Sequence, residues 1–259
     1  MLKARVIPTL LWKNFGLVKG VGFDSWRRVG SVLPAIKVYN TRDVDELILV
    51  DITANTSAAE PDCEAVADLG RDCFVPLTVG GGITNIDQIR QLLRSGADKI
   101  SINTAAYERP QLVEDAARRF GAQCVVASID ARRLDGGRYA CCSHSGTVLT
   151  DRVPAEWARE LEARGAGEIL ITSIERDGTM LGYDLELVEQ VVRAVNLPVI
   201  ASGGAGNYEH FRQAIQDAGA SAVAAAAMFH FTEQTPAEAK QYLAAAGVPV
   251  RASYSPGHV

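Results

Sequence analysis

The chain has 259 residues, 47% apolar and 22% charged, with a formal net charge of −5 and a sequence pI of about 5.5. That balance fits one globular core and excludes a disordered or collagenous chain. With no Lys/Arg run there is no basic face for a nucleic-acid partner, and no apolar run reaches the roughly 18 residues that span a bilayer.

The first dozen residues are interrupted by Lys3, Arg5 and Pro8, which is not the pattern of a signal peptide. Short β-branched runs then alternate with amphipathic helical spacing. Strands are expected at 5–11, 46–51, 75–79, 99–102, 124–130, 168–172, 198–201 and 222–226, with helices between them and therefore parallel pairing. Over 85–93, Ile86, Ile89 and Leu93 fall on one helical face behind a candidate N-cap, Asn85. Eight such units predict a (βα)8 barrel spanning 1–252, with 253–259 as a frayed tail. Five cysteines, an odd number, show no metal-ligand spacing. Adjacent Cys141 and Cys142 frame a disulfide poorly, so a reducing cytoplasm is expected.

The chain also repeats itself. Val75-Pro76-Leu77-Thr78 returns as Leu197-Pro198-Val199-Ile200, and at the same offset Gly81-Gly82 meets Gly203-Gly204 and Asn85 meets Asn207. Ile86, Ile89 and Leu93 meet Tyr208, Phe211 and Ile215, and Glu46-Leu47-Ile48-Leu49 meets Glu168-Ile169-Leu170-Ile171. Chance likeness among amphipathic segments does not hold glycine, asparagine and apolar positions to one offset. Two half-barrels follow, with two pseudo-equivalent ligand sites at the mouth.

Val79-Gly80-Gly81-Gly82 leaves a strand and enters a helix, where backbone N–H groups can approach an anion. Ser202-Gly203-Gly204-Ala205-Gly206 is its second copy, after the seventh strand, where barrels often hold a phosphate. Asn103 and Thr104 can donate to a phosphate beside Gly82, or merely cap a helix. Asp177-Gly178-Thr179 can offer a carboxylate and an N–H, or be an ordinary turn. Asp130 ends an apolar strand, where partial burial raises a carboxyl toward general acid/base use; a structural Asp is the plainer alternative. The matching position of the first half is Leu11, which transfers no proton. Lys19 lies in a long loop able to fold over the mouth, Asp51 is a second mouth carboxylate, and His210 and His230 read as structural. At the opposite end Arg5, Glu46, Lys99 and Glu168 open four strands, forming either a plug or a gate.

These stretches resemble the cyclase subunit family of imidazole glycerol phosphate synthase. The resemblance rests on Arg5-Val6-Ile7-Pro8, Val44-Asp45-Glu46-Leu47, Asp51-Ile52-Thr53-Ala54, Thr78-Val79-Gly80-Gly81-Gly82-Ile83 and Gly96-Ala97-Asp98-Lys99. It extends through Ser101-Ile102-Asn103-Thr104, Arg176-Asp177-Gly178-Thr179, Gly182-Tyr183-Asp184, Ala201-Ser202-Gly203-Gly204 and Phe229-His230-Phe231. The resemblance implies a (βα)8 barrel paired with a glutaminase whose ammonia passes through the barrel to a bisphosphorylated substrate. It implies phosphate contacts at Gly82, Asn103 and Thr104, and at Asp177, Gly178, Gly204, Ala226 and Ala227. It also implies a mobile Lys19, an ammonia gate of Arg5, Glu46, Lys99 and Glu168, and a docking role for Asp98. No cofactor and no metal are implied.

Three departures redirect the reading. The family carries catalytic aspartates at the ends of strands 1 and 5; Asp130 matches the second, while Leu11 replaces the first. Trp12-Lys13-Asn14-Phe15 stands where an acidic Asp-Gly turn is usual, and Ala227 replaces a serine. The strand-1 stretch, with Val38-Tyr39-Asn40, is more similar to a paralogous branch linked to acetamidino-sugar formation on bacterial surface glycans. There a glutaminase and barrel pair feeds ammonia to an amidotransferase. An amide carbonyl usually needs ATP activation, and with no Gly-x-x-x-x-Gly-Lys-Ser/Thr motif here that step falls to a separate ATP-dependent partner. The expectation is an ammonia-using synthase subunit with little cyclase activity. The alternatives are the histidine-pathway cyclase itself, a non-catalytic ammonia-conducting barrel, and a related aminoaldose-phosphate isomerase, against which Leu11 and the four gate charges argue.

Overall fold

The computed structural model describes residues 3–13, 16–53 and 60–252. Asn14, Phe15, Ala54 and the expected tail at 253–259 lie outside them. In the first half, β1 (Arg5–Lys13) runs into a hairpin, β2 (Gly16–Val21) and β3 (Asp24–Gly30). Then come α1 (Val32–Thr41), β4 (Leu47–Asp51), α2 (Cys63–Arg71), β5 (Leu77–Gly80), α3 (Ile86–Arg94), β6 (Lys99–Ile102), α4 (Thr104–Glu108) and α5 (Gln111–Phe120). The second half follows the same plan. β7 (Val125–Arg133) has its own hairpin, β8 (Tyr139–Ser143) and β9 (Val148–Leu149). They are followed by α6 (Pro154–Ala163), β10 (Glu168–Ser173), α7 (Leu185–Val192), β11 (Val199–Ser202), α8 (Tyr208–Arg212), β12 (Ala222–Ala225), α9 (Ala227–Phe231) and α10 (Pro236–Ala245). A π-helical turn, Gln213–Asp217, continues α8.

Among the described residues β1, β4, β5, β6, β7, β10, β11 and β12 pair in parallel in that order, and β12 returns to β1. The closed eight-strand barrel with helices outside is the expected (βα)8 architecture. Alternation along the strands divides the apolar residues into two sets. One faces the helices; the other, Ile7, Ile48, Val126, Leu170, Ile200, Ala222 and Ala224, fills the barrel axis. Helix starts are chemically marked: Asp62, Asn85, Asp184 and Asn207 each accept a backbone N–H of the first turn, and Thr235 with Glu238 forms a capping box.

The strand registers establish the internal repeat. Thr9 lies opposite Ile48 as Ser128 lies opposite Leu170, so Leu11 beside Val50 occupies the place that Asp130 beside Thr172 occupies in the other half. Leu47 meets Leu77 as Ile169 meets Val199, and Thr78 meets Lys99 as Ile200 meets Ala222.

Several bounds differ from those expected. The loop after strand 1 is the β2–β3 hairpin, and β7 carries a second hairpin where no strand was expected. Glu46 precedes β4 rather than opening it, β5 begins at Leu77, and residues 122–124 form a 3-10 turn ahead of β7. Pro76 explains one of these: it has no N–H to give to the ladder, and its carbonyl instead accepts from Leu47 N at 2.9 Å. Ala226 ends outside β12 as the residue preceding α9. In α3 the deepest residues are Gln88, Ile89 and Leu92, whereas Ile86 and Leu93 are only partly buried, a rotation of the buried stripe by about a quarter of a turn.

Candidate active site at the barrel mouth

The C-terminal ends of the strands surround a cavity of about 350 Å³. Its first half is polar. Gly81 has φ +105°, and a Cβ there would stand 2.1 Å from the Asp51 carbonyl, so only glycine fits the turn. Gly82, Asn103, Thr104 and Asp130 line the cavity beside it. Asn103 Nδ2 donates to Asp130 Oδ2 at 2.6 Å, while Asn103 Oδ1 is buried with no protein partner. Asn103 precedes α4 without making a side-chain cap, so its amide is committed to the cavity. Thr104 Oγ1 accepts from His144 N at 2.9 Å, which ties the β8–β9 turn to this half.

The second half is built on Gly203, φ +86°, whose Cβ would lie 2.6 Å from the Ser173 carbonyl, as Gly81 relates to Asp51. Gly204, Asp177, Gly178, Ala226 and Ala227 line the same cavity, together with Leu11. Lys19 Nζ meets Asp177 Oδ2 at 2.5 Å with the lysine side chain 2% exposed. The hairpin carrying it is folded over the mouth, since Gly22 N donates to the Asp177 carbonyl at 2.9 Å. The lysine expected in a loop is therefore a buried strand residue. Asp51 Oδ1 accepts from Thr53 N at 2.8 Å and from its hydroxyl at 2.5 Å, so this mouth carboxylate is locally oriented.

Phe23, Trp26, Ser145 and Thr147 also line the cavity and were not anticipated from the sequence. They sit on the two hairpins. Gly22 and Phe23 both have positive φ in a two-residue turn of the I′ kind, an unusual place for Phe. The Ser145-Gly146 pair is a readable turn signal for the other hairpin. The two tips meet, since a Cβ on Gly146 would come 3.1 Å from the Phe23 ring.

Asp130 is held well above the ordinary carboxylate range. Burial raises it, the nearby negative charge of Asp177 raises it further, and the Asn103 hydrogen bond lowers it, leaving a pKa of about 7. Such a group can hold or give a proton near neutrality. The folded pKa is above the unfolded value of 3.8, so the unfolded chain releases this proton first. Asp130 therefore contributes nothing to relative stability at pH values below about 4, and an increasing penalty between about pH 4 and 7. Asp130→Asn is expected to leave stability unchanged near pH 4 and to raise it near pH 8 by no more than about 4 kcal/mol. Urea unfolding at both pH values checks this; an equal effect at both would contradict it.

At the other end of the barrel, Arg5 pairs with Glu46 at 2.6 Å and with Glu168, and Lys99 pairs with Glu46 at 2.9 Å and Glu168 at 3.1 Å. All four charges thus form one closed ring of alternating sign. Burial opposes the Arg5 charge, but the hydrogen bonds and charges of the two glutamates overcome it and keep its pKa above the usual value. The aliphatic axis residues separate this ring from the mouth. Asp98 is exposed on the ring side, and its Oδ2 accepts from Leu77 N at 2.8 Å. Phe74 stands 81% exposed on the same side and lines a groove with Arg5.

His210 Nδ1 accepts from Gly206 N at 3.1 Å, a loop-holding contact, and burial pushes His230 down to about 4. The five cysteines are free thiols. No helix among the described residues is long and apolar enough to cross a membrane. Residues 5–235 match the family model described as histidine biosynthesis protein.

Proposed function

The chain belongs to the histidine biosynthesis protein family, and within it we propose an ammonia-using synthase subunit of a glutamine amidotransferase complex. A glutaminase docks on the face bearing Asp98 and Phe74. Ammonia passes the ring of Arg5, Glu46, Lys99 and Glu168, crosses the aliphatic axis and meets a phosphorylated, sugar-derived substrate at the mouth. The observation that carries this reading is the closed charge ring at the end of the barrel opposite the mouth cavity. A plug made for stability alone is better served by apolar side chains, because buried ion pairs usually break even or cost stability. Neutral ammonia crosses an aliphatic layer far more cheaply than ammonium does.

At the mouth, Gly82, Asn103 and Thr104 bind a phosphate, and Asp130 donates or accepts the proton that accompanies nitrogen addition. Amidine formation on sugars destined for surface glycans, in the cytoplasm, is the reaction favoured by Leu11. Of the opposed β1 and β7 carboxylates of ring closure, Leu11 leaves only Asp130. Turning an amide into an amidine then requires activation by a separate ATP-dependent amidotransferase.

The test is to mix the purified chain with its candidate glutaminase and follow glutamine hydrolysis and complex formation. Asp98→Lys is expected to weaken the complex at least tenfold, about 1.4 kcal/mol, and Asp98→Asn much less, because an amide oxygen still accepts from Leu77 N. Equal affinity for both variants and wild type removes Asp98 from the interface. No complex and no stimulation of hydrolysis by the wild type overturns the reading.

A further inference from the structure

A second set of charges holds the charge ring from behind, at the end of the barrel opposite the mouth. Asp45 precedes Glu46 and lies across from Val6, the residue after Arg5. Val6 N donates to Asp45 Oδ2 at 2.9 Å, and Asp45 N donates to the Val6 carbonyl at 3.3 Å. These two bonds tie the start of β1 to the approach to β4, so the Arg5–Glu46 ion pair is anchored one residue away on both sides. Asp98 does the same beside Lys99: its Oδ2 accepts from Leu77 N at 2.8 Å and its N donates to the Leu77 carbonyl at 2.9 Å. Before Glu168 the place is taken by Gly167, whose N donates to the Val125 carbonyl at 3.0 Å and whose Cβ would lie 2.1 Å from the Ala122 carbonyl.

The Asp45 side chain is 6% exposed, and its charge is shared. Oδ1 accepts from Arg251 Nε at 2.9 Å and lies 3.5 Å from Lys240 Nζ. Lys240, on α10, is 1% exposed, and its ammonium lies 2.6 Å from Asp43 Oδ2. Arg251 Nη2 donates to Asp43 Oδ1 at 2.9 Å and to the Val44 carbonyl at 2.8 Å. The segment carrying Arg251 is fastened beside β1, since Ala4 N donates to the Pro249 carbonyl at 2.7 Å and Ala4 pairs with Val250. Two features of this cluster are costly. A buried lysine loses its hydration, and Asp43 holds φ +56°, in the left-handed region that favours glycine. An apolar side chain at 240 and a glycine at 43 would avoid both costs, so stability alone does not explain the cluster. What its carboxylates touch next is the backbone beside Arg5 and Glu46.

We propose that Asp45 is a positioning residue for the charge ring, its carboxylate fixed in turn by Lys240, Arg251 and Asp43. Anchored in this way, Arg5 meets Glu46 and Glu168 in one geometry. This rests on the ring being a gate across the ammonia path, and it adds the residues that set the closed form of that gate.

Side-chain 15N NMR of the chain alone reads that geometry. The Nη signals of Arg5, identified as those lost in Arg5→Lys, report rotation about the Nε–Cζ bond, which slows when both Nη groups are held. Lys240→Met and Asp43→Gly are each expected to speed this rotation about tenfold, the effect of weakening one charge-assisted hydrogen bond. Arg212→Gln, which breaks the pair with Glu209 on α8, is expected to leave it unchanged. Should Lys240→Met fail to fold, Asp43→Gly decides, because glycine accepts the left-handed backbone. Urea unfolding of the same variants separates position from stability. Unchanged Arg5 rotation in the folded variants, whatever their stability, makes the cluster a plain clasp of the chain ends and overturns the proposal. Equal acceleration in Arg212→Gln overturns it as well. Either failure leaves the synthase reading intact, because that reading is decided by the complex with the glutaminase.

Discussion

Supplied directly with ammonium salts, the wild-type chain is expected to perform the histidine-pathway ring closure at least about 10²-fold more slowly than an authentic cyclase, and Leu11→Asp is expected to recover part of the difference. Removing a general acid or base typically costs about 10²–10⁴-fold, roughly 3–5 kcal/mol of barrier. Ring closure by two opposed carboxylates needs one on β1 and one on β7. The strands place Leu11 and Asp130 at equivalent registers, so the scaffold for the first carboxylate is intact and only its chemistry is missing. Leu11 is partly exposed to the cavity, so an aspartate there keeps some access to water and remains ionisable. Steady-state turnover with ammonium chloride as nitrogen source, for wild type and Leu11→Asp, is the measurement. Wild-type turnover equal to that of an authentic cyclase would restore the histidine-pathway reading. A silent Leu11→Asp would move the divergence to Trp12, Ala227 and the hairpin over the mouth.

The second large effect is expected at the charge ring. Arg5→Ala leaves Glu46 and Glu168, whose side chains are only 10% and 7% exposed, to share Lys99 alone. Breaking a buried ion network by removing one partner typically costs about 3–5 kcal/mol. Replacing the whole ring, with Arg5→Met, Glu46→Leu, Lys99→Met and Glu168→Leu together, is expected to be neutral or stabilising by up to about 4 kcal/mol, because no charge is left stranded. The same replacement is expected to abolish glutamine-dependent activity while preserving activity with external ammonium, which enters by the mouth. Urea unfolding and paired assays with the two nitrogen sources separate the effects. If the apolar ring still passes ammonia from glutamine, the four charges are a plug and the gate reading fails.

The barrel was legible because its evidence is short range. Period-two apolar runs mark strands, Asn85 and Asn207 mark helix starts, and the recurring Gly-Gly turns tie the halves together. The hairpins were not. Residues 16–30 have no clean alternation of apolar and polar side chains, because β2 is buried along most of its length and β3 is mostly exposed. Phe23 at positive φ conceals the turn, since glycine, asparagine or aspartate normally marks that conformation. The identities of Lys19, Asp130 and Asp177 could be read as candidate site groups. Their pairing could not: it depends on the hairpin returning over the β10–α7 loop, a contact between residues 158 positions apart. The difference between the two anion loops was visible only in part, as Leu11 and Ala227. The register of β1 against β4, compared with β7 against β10, puts Leu11 at the place of Asp130, and Leu11 and Ala227 line the same cavity.

The π-helical turn at Gln213–Asp217 records how the two halves came to differ in length. Around β5 and β11, residues correspond at one spacing, Leu47–Leu77 with Ile169–Val199. Past the following helix the spacing is one residue longer: Ala97 N bonds to Leu92 O in the first half, and Ala220 N to Ala214 O in the second. The extra residue is taken up within that single wide turn, where Ala218 N reaches back five residues to Gln213 O. Neither the glycine loop before it nor β12 after it is displaced from its counterpart. The outer layer of such a duplicated barrel can absorb insertions by local overwrapping, which leaves the two mouth loops free to diverge in side chain while Gly81-Gly82 and Gly203-Gly204 keep the same left-handed turn.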